Sequence, residues 1–121
     1  GVESVASFYG LTSVSRREKV LDDFQDEDSE LRFFVSNPHT GGRGLTLTAA
    51  DTMIFYSNSY DLELRLQAED RIHRIGQANR CTYVDLVVPG TVDEKILESL
   101  RKKVKISNEV LGEVKEWLHD D

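Results

Sequence analysis

The sequence predicts an α/β domain with a mainly parallel sheet, and three observations carry that expectation. Short apolar, aromatic and β-branched runs occur at 31–36, 52–57 and 82–88. Segments with helical periodicity lie between and after them, and Pro38, Pro89 and most glycines fall at the joints. Strands alternating with helices need crossover connections, which favour parallel pairing in a layered domain. Parallel strands are buried on both faces and read as near-continuous apolar runs, as 52–57 and 82–88 do. With 121 residues, 39% apolar and 31% charged, the chain is long enough for one core and reads as globular and charge-rich rather than disordered.

In chain order, residues 5–9 predict a short strand ending at Gly10. Thr12, Ser13 or Ser15 can cap a helix running to about Gln25, Ser15 and Glu18 having the spacing of a capping box. Val20, Leu21 and Phe24 share one face of that helix. The strand 31–36 is followed by the Gly-rich stretch Asn37 to Gly44, and 45–50 reads as one or two helical turns. After the strand 52–57, Asp61 caps a helix from Leu62 to about Ile75 that Gly76 ends. Pro89-Gly90 stops the strand 82–88, and Thr91 with Glu94 forms another capping box. Ile96, Leu97, Leu100 and Val104 form the stripe of the helix behind it. A last helix is expected from Ser107 to Trp117 or Leu118, with Val110, Leu111, Val114, Trp117 and Leu118 facing inward. The expected organisation is a domain over 1–90 and a helical extension over 91–121 packed on it.

Composition narrows the function classes. Cys81 is the single cysteine, which excludes an internal disulfide and a cysteine-rich metal site. No metal site is expected, since His39 and His119 have no partners at ligand spacing. No apolar run approaches the roughly 20 residues of a membrane span, and no signal-peptide pattern opens the chain. The opening Gly1 reads as a cut within a larger protein. A net charge of -7 weighs against a nucleic-acid binder, because phosphate contacts need clustered Lys and Arg. Its distribution is uneven, however. Acids crowd into 22–30 and 116–121, and bases into Arg16-Arg17, Arg71 to Arg74 and 101–105.

Ligands of parallel sheets sit beyond the carboxyl ends of the strands, which directs attention to the loops after Ser36 and Ser57. The stretch Thr40 to Gly44 either presents backbone N–H groups to an oxyanion or is simply a tight turn. It is not a Walker A loop, which occurs nowhere in the chain. On a continuous helix, Gln67, Arg71 and Arg74 would project from one face, with Ile72 and Ile75 anchoring another. Two guanidiniums and an amide on one ridge either grip a phosphate chain through bidentate contacts or form a solvated, salt-bridged face. His73 reads as a packing or hydrogen-bonding residue. Asp26-Glu27-Asp28-Ser29 mimics a Walker B box, but it follows a helix in an acidic run and reads as a solvated turn.

Joined together, these segments resemble a known family. Gln67-Ala68-x-x-Arg71-x-His73-Arg74-Ile75-Gly76-Gln77 is similar to motif VI of the second lobe of Swi/Snf-type superfamily-two ATPases. Gly41-Gly42-Arg43-Gly44-Leu45-Thr46-Leu47-Thr48-Ala49-Ala50-Asp51 resembles motif V, and Gly10-x-Thr12-Ser13-x-x-x-Arg17-x-x-x-Leu21-x-x-Phe24 matches a further family pattern. The resemblance implies a RecA-like three-layer lobe lacking its usual first strand and helix. It implies half of an ATP-driven double-stranded DNA translocase, inactive alone. ATP would bind between this lobe and an N-terminal RecA-like lobe of the same parent, which holds most contacts to ATP and Mg²⁺. By the same resemblance, Arg71 and Arg74 are the arginine fingers, with Arg74 foremost. Gly42, Gly44, Thr46 and Gln67 lie toward the nucleotide, while Thr12, Arg17, Ser36 and Thr40 touch the DNA backbone. An RNA helicase lobe and a degenerate lobe kept as a binding module are the alternatives.

Several positions depart from the family pattern. Thr46 replaces the usual Asn, Arg43 an apolar residue and Thr40 a small Ala, while Tyr60-Asp61-Leu62 stands for Trp-Asn-Pro. These departures resemble a bacterial or phage branch, implying a cytoplasmic protein, with a nuclear location if the source is eukaryotic.

Overall fold

The computed structural model describes residues 4–8, 13–39 and 45–119. The elements are β1 (Val5–Phe8), α1 (Val14–Gln25), β2 (Phe33–Ser36), β3 (Thr52–Phe55), α2 (Leu62–Glu69), β4 (Thr82–Asp85) and α3 (Val92–His119). The expected alternation is present, and each observed pairing is parallel. Strand β1 pairs β2 with Val5 opposite Phe33, and β3 pairs β4 with Thr52 opposite Thr82.

The core lies on one face of these ladders. Val20 and Phe24 of α1 pack with Ala6, Leu45, Leu47 and Ile72, and Phe34, Met53 and Tyr83 close against them. Phe24 meets Phe34 edge-on, with ring centroids 5.4 Å apart. Ile72 is 1% exposed. The opposite face is uncovered among the described residues: Phe33, Val35 and Ile54 are each more than half exposed. This corrects the expectation of burial on both faces. No described ladder joins β2 to β3; instead, both strands line a groove of 580 Å³.

Local chemistry explains where the elements differ from expectation. Helix α1 is capped by Ser13, whose hydroxyl accepts from the Arg16 N–H at 3.3 Å, so the Ser15–Glu18 box is not the cap. Asp61 caps α2 as expected, accepting from the Leu64 N–H at 3.2 Å. Helix α2 ends at Glu69 rather than near Ile75. The Arg71 carbonyl is taken by the Leu47 N–H at 2.7 Å, and Arg71 and Ile72 donate to carbonyls only three residues back. A tertiary partner thus takes an acceptor that the next helical turn would have used. Gly76 sits at φ 103°, a conformation glycine adopts without steric cost. Ile75 is fully exposed and anchors nothing. Residues 45–50 form a single turn, Ala50 donating to the Leu47 carbonyl at 3.0 Å, rather than helical turns. Leu45 and Leu47 point into the core on either side of an exposed Thr46.

The two helices expected after residue 91 are one helix of 28 residues. Thr91 Oγ1 accepts from the Asp93 N–H at 3.3 Å, while the Asp93 carboxylate accepts from Val88. Leu100 is buried, but every described residue of α3 from Arg101 onward is exposed, including Val110, Leu111, Val114, Trp117 and Leu118. These five do not face inward; among the described residues burial along α3 ends at Leu100, and Lys103 Nζ donates to the Tyr60 carbonyl. At 1.5 Å per residue the helix is about 42 Å long, longer than the small core beneath it can cover. No helix among the described residues is long and apolar enough to cross a membrane.

Candidate functional site

The stretch from α2 to Gly76 positions the expected site residues. Gln67, Arg71 and Arg74 do not form a helical ridge, because α2 ends before Arg71. They nevertheless line one hollow of 820 Å³, together with Leu45, Leu62, Glu63, Leu66, Asp70, His73 and Ile75. The turn after α2 does what the longer helix was expected to do.

Within the hollow the two arginines have different surroundings. Arg71 is 6% exposed; its Nη2 donates to the Pro38 carbonyl at 2.6 Å, and Nη1 lies 3.5 Å from Ser36 Oγ. Burial lowers its pKa from the ordinary guanidinium value. Arg74 is exposed, and its Nη1 donates to the Leu45 carbonyl at 3.1 Å. Gln67 is half-buried, and its amide donates to Glu63 Oε1 at 3.2 Å, one turn back on the same helix.

The other expected residues are scattered. Ser36 ends β2 beside Arg71, which links the expected DNA side to the expected nucleotide side. Thr46 is exposed between two buried leucines, and Arg17 is half-buried on α1. Thr12, Thr40, Gly42 and Gly44, with Arg43, lie outside the described residues. His73 is exposed and packs into no core. The Asp26–Ser29 segment is a turn closed by Asp28 N–H on Asp26 Oδ1 at 2.9 Å, as a solvated turn should be.

Sequence reading missed a polar cluster behind the hollow. Arg65 on α2 makes a two-pronged pair with Asp85 of β4, donates to Asn58 Oδ1 at 2.9 Å and lies 3.6 Å from Glu69. Its guanidinium sits 3.6 Å over the centroid of Phe55. Asn58 Nδ2 completes the cluster by donating to Asp85 at 2.8 Å. No spacing rule joins residues 20 positions apart; only the helical pair of Arg65 with Glu69 was visible in the sequence.

The two carboxylates of the cluster respond oppositely to it. Burial pushes Asp85 upward, but hydrogen bonds from Arg65 and Asn58, with the Arg65 and Arg101 charges, outweigh it and hold the carboxyl below its ordinary value. Burial dominates at Glu69 and raises its pKa despite Arg65. Beneath them, burial first and then the Cys81 charge push Tyr83 up to about 12. The linkage has a definite sign. A depressed carboxyl stabilises the fold above its unfolded value and loses that contribution as pH falls through its folded value; the raised Glu69 acts in the opposite sense. Replacing Asp85 with Asn should therefore cost stability that is constant above about pH 5 and shrinks below about pH 4. Urea unfolding of both proteins across that range measures the difference; a cost independent of pH would show that the Asp85 charge contributes nothing.

Comparison with known proteins gives the site its context. The family described as helicase conserved C-terminal domain matches residues 2–76, and the chain belongs to that family. Within it, the relatives found are of the Swi/Snf type. The chain is 37% identical over 103 residues to the chromatin-remodeling ATPase INO80 of Homo sapiens, covering 85% of this chain and 7% of that protein. It is 39% identical over 102 residues to the human lymphoid-specific helicase, covering 84% of this chain and 12% of that protein. The ATP-dependent DNA helicase DDM1 of Arabidopsis thaliana is 34% identical over 104 residues, covering 86% and 14%. Among solved structures, the C-terminal part of the Fun30 ATPase domain superposes with a TM-score of 0.72 at 29% identity, covering 80% of this chain and 31% of that one. The α/β fold with parallel strands is therefore that of a RecA-like C-terminal lobe, as the sequence predicted. The curated relatives are eukaryotic and lend no support to a bacterial or phage branch. The chain spans between 5% and 14% of their length.

Proposed function

We propose that this lobe is the second half of an ATP-driven double-stranded DNA translocase or remodeller and completes its ATPase site from one side. The observation that carries the reading is the placement of Arg74, Arg71 and Gln67 around one open hollow. Guanidiniums suit the charge that develops on a transferring γ-phosphoryl group, because catalysis there is mostly positioning and electrostatic stabilisation. Arg74, exposed at the rim, is the finger. Arg71, buried beneath it, holds the Ser36–Pro38 loop and adds positive potential. Gln67 faces the nucleotide, and by the family resemblance Gly42, Gly44 and Thr46 belong to the same contacts.

The fit to ATP is one-sided. This lobe offers donors and cations to the phosphates, and the N-terminal RecA-like lobe of the parent supplies the Walker boxes and holds Mg²⁺. When bound there, Mg²⁺ would supply positive charge that offsets the charge of the phosphates. By the same resemblance Thr12, Arg17, Ser36 and Thr40 contact the duplex backbone, and phosphate contacts suit a motor that steps along any sequence. The chromatin-remodelling relatives support a nuclear location over a cytoplasmic one.

ATP turnover by the two-lobed protein, with duplex DNA, single-stranded DNA or RNA added, tests this reading. Duplex is expected to stimulate most, and the 121-residue chain alone is expected to be silent. Stimulation by RNA but not duplex would indicate an RNA helicase lobe. No nucleotide turnover in the presence of any nucleic acid would indicate a binding module.

A further inference from the structure

Segments 45–50 and 70–77 meet as irregular backbone, with no strand ladder or shared helix to fix their relative position. Besides the Leu47 N–H to Arg71 carbonyl bond, the Gln77 side chain joins the two segments, and the Gln25 side chain ties the first of them to α1. Gln77 Nε2 donates to the Ala50 carbonyl at 2.7 Å and to the Ile72 carbonyl at 3.0 Å. Its Oε1 accepts from the Asn79 N–H at 3.1 Å, and its own N–H donates to the Arg74 carbonyl at 3.0 Å. Gln25, at the last residue of α1, reaches the same turn from the other side. Its Oε1 accepts from the Ala49 N–H at 2.7 Å, and its Nε2 donates to Thr48 Oγ1 at 3.1 Å.

The geometry points to Gln77 and Gln25 as positioning residues for Arg74, acting through the turn at 48–50; this rests on the reading of Arg74 as the finger. Gln77 closes the loop that carries Arg74, bonding the Ile72 carbonyl ahead of it and the carbonyl of Arg74 itself. It also ties that loop to Ala50, five residues beyond the Leu45 carbonyl that Arg74 itself touches. Gln25 fixes the other end of the link to α1, the helix that carries Arg17.

The two amides have opposite chemical requirements. Gln77 must donate, because both of its Nε2 partners are carbonyl oxygens, and a carboxylate there would face two acceptors. Gln25 must accept from Ala49, while its second partner is a hydroxyl that can turn to donate. Glutamate should therefore fail at position 77 and succeed at position 25.

The test uses the two-lobed protein, with turnover followed by labelled ATP at saturating duplex so that slow variants are still read. Gln77→Glu is expected to lower kcat about 10²-fold, the scale of loss from a displacement of about 1 Å, with little change in the KM for ATP. Gln25→Ala should lower kcat about tenfold, while Gln25→Glu should keep near-normal turnover. In an Arg74→Ala background Gln77→Glu should add little further loss, because groups acting as a unit are not additive. The proposal is overturned if Gln77→Glu turns over normally. It is equally overturned if Gln77→Glu loses as much without Arg74 as with it, or if Gln25→Glu is as damaging as Gln25→Ala. Normal turnover by Arg74→Ala alone would sink the finger reading and this proposal together. A defective Arg74→Ala beside a normal Gln77→Glu would sink this proposal only.

Discussion

Replacing Arg74 with Ala in the two-lobed protein is expected to lower duplex-stimulated ATP turnover by about 10³–10⁵-fold, the range typical of arginine fingers. The magnitude follows from where the charge acts. A finger meets negative charge in a site from which water is excluded, and it meets that charge most strongly in the transition state. The loss should therefore fall on kcat more than on the KM for ATP. Arg74 is exposed at the rim of the hollow, and its bond to the Leu45 carbonyl engages one of five N–H donors. Losing an exposed side chain should leave the thermal midpoint nearly unchanged. Arg71→Ala should behave differently, lowering stability as well as turnover, because it empties a site that is 6% exposed and removes the donor to Pro38. An Arg74→Ala protein with normal kcat would exclude this residue as the finger.

Arg65→Ala is expected to be the most damaging change away from the hollow, costing about 2–3 kcal/mol. That is somewhat less than the 3–5 kcal/mol of a fully buried broken pair, because the side chains of Arg65 and Asp85 retain 13% and 21% exposure. The substitution leaves two carboxylates, Asp85 and Glu69, without their shared cation, and uncovers the face of Phe55. The pair also joins α2 to β4, so its loss should loosen the helix that leads into Arg71. Urea unfolding of wild type, Arg65→Ala, Asp85→Ala and the double variant measures the coupling between them. A double variant no less stable than Arg65→Ala would place most of the cost in the stranded Asp85 charge. Additive losses would mean that the pair is not coupled.

Much of the fold was legible because it depends on local rules. Alternating apolar runs and turn residues located the four described strands, and the Asp61 cap is read from a few neighbouring residues. The candidate site was proposed for a different reason: Gln67, Arg71 and Arg74, which line one hollow, lie within one short segment whose pattern resembles a family signature. Where sequence reading went wrong, a partner distant in the chain decided the matter. Periodicity carried α2 through to Ile75, but the Leu47 N–H takes the Arg71 carbonyl and turns the chain earlier. The same bend buries Arg71 and leaves Arg74 outside, a distinction that a regular helix with both residues on one face did not contain.

The break expected near Ser107 in α3 was likewise absent, since an apolar stripe records which face could be covered and not whether anything covers it. By itself, the sequence determined the four described strands and their parallel sense, the starts of α1, α2 and α3, and the segment that carries the arginines, because these follow from backbone preference and apolar spacing over a few residues. The tertiary structure alone decided which arginine is buried, how Arg65 joins Asp85, and how Gln25 and Gln77 hold one turn between them. Those outcomes depend on hydrogen-bond acceptors brought together from 20 or more residues apart, and the packing of the whole chain determines which donor reaches each of them.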